Sequence, residues 1–235
     1  MIMSDKHFST QFEFELAHVT ARVLEMGGVV ESQLRQCIHA LHHLSTESTE
    51  QVLEIEKKVN LFELEIDHEI ISIMSRRQPT ARDLRLLIGI SRVITNLERA
   101  GDKSTRIARM VDKFIQSGAP RALPVKSLGA SAQLAATQIH RSLDAFARLD
   151  VQEALAVIND DDQLDDEYEA YFRELSTYMM EDSRLIGSSI HLMFLAKAIE
   201  RIGDLAKNIA EATIYVVKGT DIRHSTDEER RSVAQ

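Results

Sequence analysis

Glu98-Arg99-Ala100-Gly101-Asp102 returns 102 residues later as Glu200-Arg201-Ile202-Gly203-Asp204. The same register lays Ile88 on Ile190, Ile107 on Ile209 and Ala108 on Ala210, which makes seven identities in the 25 positions from Leu84 to Ala108. Two unrelated helices of mixed composition rarely agree so often, so the chain reads as an internal duplication. Both segments lack proline and the strict alternation of a strand. Apolar residues instead recur at helical spacing, Leu84, Leu87, Ile88 and Ile94 in the first copy and Ile186, Ile190 and Met193 in the second.

The punctuation around these helices is sparse. Ser117-Gly118-Ala119-Pro120-Arg121-Ala122-Leu123-Pro124 is the obvious joint, and no proline follows Pro124. Capping signals divide the rest: Ser48 with Gln51, Thr80 with Asp83 just after Pro79, Asp150 with Glu153, and Asp182 or Ser183 before Leu185. They predict helices over 9–45, 49–77, 81–117, 125–149, 151–181 and 184–218. Helices of ~30 residues span about 45 Å, which suits antiparallel bundles with short turns. The expected fold is all-α, two tandem three-helix bundles over 1–118 and 119–222, with a polar tail over 223–235. The Gly27-Gly28 pair should weaken or bend the first helix, since each glycine costs about 1 kcal/mol against alanine.

Composition narrows the class of function. The 235 residues include 28 Lys and Arg against 37 Asp and Glu, a net charge of −9. The part up to Gly118 carries 15 − 17 = −2 and the remainder 13 − 20 = −7. No concentrated basic face is available for phosphate backbones, so no nucleic-acid partner is expected. Arg76, Arg77, Arg82 and Arg85 read as a solvated helix junction. Uncharged runs fall short of the ~20 residues of a membrane span, and the first thirty residues have no apolar signal core. With the single Cys37, these features suit a reducing cytosol, and Cys37 itself, among Leu34, Ile38 and Leu41, reads as a small buried apolar residue.

The repeated motif places carboxylates four apart on one helix face, Glu98 with Asp102 and Glu200 with Asp204. Glu56, Asn60, Glu63 and Asp67 follow 4-3-4 spacing on the second helix, and Asp161 and Asp165 are four apart on the fifth. Acids on the continuation of an apolar stripe must reach solvent or be neutralised, because an unpaired buried charge is costly. Oxygen-only clusters suit Mg²⁺, Mn²⁺ or iron. With 37 acids the spacing is common by chance, and the bland reading is interhelical ion pairing by the motif arginines, with glycine allowing close helix approach. Glu15-x-x-His18 and Glu65-x-x-His68 share the form of di-iron bundle ligands but lack two further glutamate helices in the same half. His42-His43 lie at a helix end, and Met179, Met180 and Met193 read as core filler. No phosphate loop, Cys-x-x-Cys or nucleophile elbow is present, so other chemistry has thin support.

Met26-Gly27-Gly28-Val29-Val30-Glu31, Arg77-Gln78-Pro79-Thr80-Ala81-Arg82-Asp83-Leu84-Arg85, the two Glu-Arg-x-Gly-Asp motifs and Val217-Lys218-Gly219-Thr220-Asp221-Ile222-Arg223-His224 together resemble the PhoU family of phosphate-transport regulators, over nearly the whole chain. The resemblance implies a duplicated pair of three-helix bundles that acts as a cytoplasmic negative regulator of the phosphate-starvation response, with transcription repression as its outcome. Its implied partners are the ATPase subunit of the phosphate ABC transporter and a phosphate-sensing histidine kinase, through which it sits peripherally at the inner membrane. A homodimer is implied too, and no enzymatic activity is. No cofactor is required, but some relatives carry multinuclear iron or zinc on acidic helix surfaces, which here correspond to Glu98, Asp102, Glu200, Asp204, Asp161, Asp165 and Glu56. The alternative reading is a metal-storing or metal-sensing protein for iron, zinc, Mn²⁺ or Mg²⁺. Leu205 after the second Gly-Asp, and Asn60 where the second half has Asp165, depart from the pattern and weaken the metal sites.

Overall fold

The computed structural model describes residues 3–116, 123–223 and 225, with side chains from residue 10 onward. Among the described residues there are seven α-helices, one 3₁₀ turn and no strand: α1 Met3–His43, α2 Thr46–Arg77, α3 Ala81–Gln116, α4 Val125–Arg148, α5 Val151–Asn159, α6 Asp162–Glu181, the 3₁₀ turn Ser183–Leu185 and α7 Ile186–Lys218. None is long and apolar enough to cross a membrane. The joint expected at 118 and 119 and most of the polar tail lie outside the described residues.

Helices α1, α2 and α3 pack on one another as the first bundle, while α4, α5, α6 and α7 form the second. The two are joined side by side, α3 against α7 and α1 against α4. One continuous apolar core results, running from Val19, Val23 and Met26 through Ile66, Leu87 and Leu97 to Ile139, Phe146 and Ile209, all at most 1% exposed. Each large apolar side chain so buried contributes about 1.5–3 kcal/mol relative to exposure.

Several expectations are corrected. The predicted helix over 151–181 is broken at Asp160 and Asp161. Asp160 caps the end of α5, and its carbonyl accepts from Gln138 Nε2 at 3.0 Å while its carboxylate takes Arg141 at 2.6 Å. Three consecutive aspartates thus serve a C-terminal cap and the first turn of α6, where negative charge suits the helix dipole. The cap of α2 is Ser45, whose hydroxyl accepts from the Ser48 amide at 3.2 Å. Ser48 itself is buried one turn inside the helix, its Oγ 2.8 Å from His39 Nδ1. Asp150 does cap as read, accepting from the amides of Gln152 and Glu153, whereas Asp182 caps only the 3₁₀ turn, accepting from the Arg184 amide, and α7 starts after Leu185 with no side-chain cap.

Gly27 and Gly28 do not interrupt α1, which is continuous through them. A methyl on Gly27 would stand 2.8 Å from Leu143 Cδ1 of α4, whereas nothing lies within 4 Å of one on Gly28. Gly27 therefore gives the second bundle room to approach the first. Ile186 and Ile190 are 42% and 41% exposed, because the first turns of α7 are covered on the side of Ser189 and Leu192. Met180, read as core filler, is exposed at the end of α6, while Met193 packs partly on the core.

Candidate functional site

The helix register that buries Leu97, Ala100, Ser104 and Ala108 of α3 turns Glu98 and Asp102 toward α2 and the solvent edge. Across from them, α2 presents Glu56 and Glu63, so that four carboxylates gather in the first bundle. Glu56 is the most enclosed, at 8% exposure. Its Oε2 accepts from Gln33 Nε2 at 2.6 Å and from Thr105 Oγ1 at 3.3 Å, while Oε1 is buried without a hydrogen-bond partner. Burial, and then the negative charge of Asp102 beside it, pushes the Glu56 carboxyl above its usual range. Glu98 is raised by burial and by Asp102, Glu63 and Glu56 in turn. Glu63 is raised by burial and by Asp67 and Asp102.

The second bundle repeats this plan with different neighbours. Asp161, at the α5–α6 break, accepts from Lys207 Nζ at 2.6 Å, and Glu200 accepts from Lys197 Nζ at 2.7 Å. Arg201 pairs with Asp204 at 2.8 Å and Asp165 lies beside Glu200. Burial still raises both Asp161 and Glu200, because they are 6% and 7% exposed, and the lysines oppose that effect only in part.

The glycine of each motif has a packing role. A methyl on Gly101 would lie 2.8 Å from Glu56 Oε2 and 3.0 Å from Gln33 Oε1, and one on Gly203 2.5 Å from Leu164 Cδ1 and 3.0 Å from Gln138 Oε1. The glycines thus admit a buried glutamine from the neighbouring helix, Gln33 or Gln138, in each half. The motif arginine behaves differently from the expected interhelical ion pair, since Arg201 pairs with Asp204 within its own helix.

Where α3 meets α7, both motifs open into one cleft of about 660 Å³. Its walls carry five cationic side chains (Arg99, Lys103, Arg201, Lys207 and Arg223) against three acids (Asp102, Asp204 and Glu211). Asn208 Nδ2 donates to Asn96 Oδ1 at 3.2 Å and ties the two bundles together beside it.

All seven acids singled out in the sequence thus fall into two neighbouring clusters, Glu56, Glu98 and Asp102 in one and Asp161, Asp165, Glu200 and Asp204 in the other. Their oxygen-only chemistry suits a hard cation, and the orphaned Glu56 Oε1 and Gln33 Oε1 are buried oxygens that such an ion would satisfy. Among the described residues, however, no three His, Cys, Asp or Glu side chains converge as a ready-made metal-binding group. Missed by the sequence reading were Gln33 and Gln138, Thr105, and the lysines 197 and 207. Gln33 was discoverable as a polar residue inside the stripe of Val30, Leu34 and Cys37.

The remaining candidates have structural roles. Glu15 is held by Arg77 at 2.8 Å and Arg76 at 3.2 Å, which lowers its carboxyl, and Glu65 pairs with Arg22. His18 and His68 do share a small cleft with Glu15, but the glutamates of both Glu-x-x-His pairs are taken up by arginine. Arg76 and Arg77 therefore fasten α2 to α1. Cys37 is buried beside the Ser104 carbonyl, and burial pushes its thiol up to about 12.

Comparison with known proteins follows the same outline. A family model described as the PhoU domain matches the chain twice, at residues 23–111 and 130–213. The phosphate-specific transport system accessory protein PhoU of Escherichia coli K12 is 44% identical over 221 residues, covering 94% of this chain and 90% of the relative. A PhoU homolog of the same description from a Burkholderia species is 42% identical over 228 residues, 97% of both chains. The crystal structure of PhoU from Pseudomonas aeruginosa superposes with a TM-score of 0.83 at 40% identity, covering 89% of this chain and 100% of that one. The phosphate transport system regulatory protein PhoU of Streptococcus pneumoniae, 23% identical with a TM-score of 0.81 over 89% of this chain and 98% of that one, shares the fold.

Proposed function

This chain belongs to the PhoU family, and from that premise we propose that it is an accessory and regulatory protein of a phosphate-specific transport system. It acts as a non-enzymatic adaptor in the cytoplasm, at the inner face of the membrane. There it contacts the ATPase subunit of the phosphate ABC transporter and a phosphate-sensing histidine kinase, holding the kinase in its repressing mode when phosphate is plentiful. The single observation that carries this reading is the match along nearly the whole chain to proteins named as accessory to phosphate-specific transport. The architecture supports it: two bundles offer two separate helical flanks, and the α3–α7 seam between them is lined by polar groups around a cleft.

Transmission of phosphate sufficiency then works as a shift of population. The chain binds the kinase better when the transporter is in one state than in the other, since equal affinity for both would transmit nothing. Retention of the transporter ATPase and the sensor kinase on immobilised chain, at high and at low phosphate, tests this. Capture of both, in proportions that change with phosphate, is the expected result, and capture of neither at any phosphate level overturns it.

A second reading, metal binding at the acidic clusters, is favoured by one observation: like-charged carboxylates are pressed together in each half, with burial pushing Glu56, Glu98, Asp161 and Glu200 toward the protonated form. Such an ion would be held by Glu56, Glu98 and Asp102, or by Asp161, Asp165, Glu200 and Asp204, and would offset the clustered negative charge. Neutralising Glu98, Asp102, Glu200 and Asp204 abolishes function if metal binding is the purpose of the protein, and leaves the adaptor role intact if the acids only pack.

A further inference from the structure

The cleft between α3 and α7 gathers positive charge in a chain whose net charge is −9. Its cations come from three elements: Arg99 and Lys103 from α3, Arg201 and Lys207 from α7, and Arg223 from the segment after α7. A fixed hook brings Arg223 there. Gly219, at φ 74°, ends α7, and Ile222 is 1% exposed and joins the core. Asp221 accepts from Arg223 Nε at 2.9 Å and from Arg223 Nη2 at 2.6 Å. Arg92 of α3 stands 3.5 Å from the same carboxylate, with its guanidinium 4.3 Å from the centre of the Tyr215 ring. Arg223, with Arg92 behind it, holds the Asp221 carboxyl down at about 2, so the hook stays paired at neutral pH.

The cleft cations differ in how far they are engaged. Lys207 is committed to Asp161 at 2.6 Å, while Arg201 holds Asp204 at 2.8 Å. A guanidinium has five N–H donors, so Arg201 and Arg223 keep donors beyond their carboxylates. Arg99 and Lys103 make no hydrogen bond or ion pair among the described residues.

We propose that this cleft binds a small anion carrying two or more phosphoryl groups, held across the seam by Arg99 and Lys103 on one wall and by Arg201 and Arg223 on the other. Phosphoryl oxygens match the arginine fork, which donates two parallel bonds to one group. Small-ligand sites run to about 300–1,000 Å³, and about 660 Å³ is more than one orthophosphate fills. Leu205 supplies an apolar patch and no aromatic ring stands among the described residues of the lining, so the phosphoryl chain is recognised and an attached nucleobase adds nothing. Asp102 and Glu211 oppose an anion, which leaves a singly phosphorylated ligand weakly held. The proposal depends on neither functional reading above.

Inorganic triphosphate is the probe, titrated into the whole chain by calorimetry in the presence of a chelator, beside ATP, orthophosphate and citrate. Triphosphate and ATP are expected to bind alike, about tenfold or more tighter than orthophosphate or citrate, and to weaken as salt is raised. Arg99→Gln/Lys103→Gln and Arg201→Gln should each lose about tenfold or more in affinity, and Asp102→Asn should bind more tightly. Arg173→Gln/Arg184→Gln, which removes two exposed cations from α6 and the 3₁₀ turn, should bind as wild type. Helical content and thermal midpoint are measured on every variant, and Arg99→Gln alone replaces the double variant if that one fails to fold. No binding of triphosphate, equal binding of citrate, or equal loss in the Arg173/Arg184 variant overturns the proposal. Binding of ATP without binding of triphosphate overturns it too, because the base would then be what the chain reads.

Discussion

Replacing each of the adjacent glycines of α1 by alanine tests how the two bundles meet. Gly27 and Gly28 lie in the same uninterrupted helix, so alanine brings both the same intrinsic gain, about 1 kcal/mol in a helix interior. Their surroundings differ. A methyl on Gly28 meets nothing within 4 Å, and Gly28→Ala should therefore stabilise the chain by most of that amount. A methyl on Gly27 meets Leu143 at three atoms, Cδ1 at 2.8 Å, Cδ2 at 3.1 Å and Cγ at 3.5 Å. Turning the end of the leucine side chain exchanges one methyl for the other and does not clear the space. Leu143 is buried at 6% exposure, so it must repack among its neighbours to make room, and such overpacking costs about 1–3 kcal/mol, which offsets or exceeds the helical gain. The difference between the two variants should be about 1–3 kcal/mol, or a few degrees of melting midpoint for a chain of this size. Urea denaturation followed by far-ultraviolet circular dichroism reads it directly, and Leu143→Ala should restore the gain in the Gly27→Ala background, a non-additivity expected of residues in contact. Equal stabilisation by both alanines would refute the reasoning, and with it the approach of α1 to α4 across the two bundles.

Other outcomes follow from single features. Asp150→Ala removes the cap that accepts from the Gln152 and Glu153 amides and should cost about 1 kcal/mol by thermal denaturation. Ile90→Ala, at a fully enclosed position of α3, should cost about 2–5 kcal/mol in the same assay. The Cys37 thiol, buried and pushed up to about 12, should resist alkylation at neutral pH in the native chain and react fully in denaturant. The Glu98 carboxyl is raised on folding, so the folded chain holds a proton that the unfolded chain releases; its stabilising contribution is present below the ordinary carboxylate range and is lost as pH rises through the raised value. Glu98→Gln should therefore be more stable than wild type at neutral pH, with the advantage shrinking as pH falls into the carboxylate range, as read from thermal midpoints across pH.

The duplication, the all-helical class and the pairing of acids were legible because they depend on spacing alone. The same 3.6-residue period that makes Leu87, Ile90, Ile94 and Leu97 a buried stripe sets Glu98 and Asp102 on a common face. What escaped the sequence depends on neighbours distant in the chain. Ser45 rather than Ser48 caps α2 because His39 of α1 claims the Ser48 hydroxyl. The break at Asp160 needs Gln138 and Arg141 of α4 to hold it. Gly27 is a contact glycine rather than a hinge because Leu143 lies across from it. Lys197 and Lys207 look like ordinary surface residues in a helical pattern, and only the geometry shows them closing the second acidic cluster. Helix ends without glycine were equally hidden: Leu44, Gln78 and Leu149 adopt the left-handed conformation that ends a helix, whereas Gly219 after α7 is the residue type that favours it.

In the role proposed above, the chain represses a phosphate-starvation response. The most direct measurement is a starvation-responsive reporter in phosphate-rich medium, read in cells with the gene intact, deleted, and restored on a plasmid. High reporter activity on deletion and its return to the repressed level with the wild-type chain are predicted. Reporter activity that stays low without the protein contradicts the account.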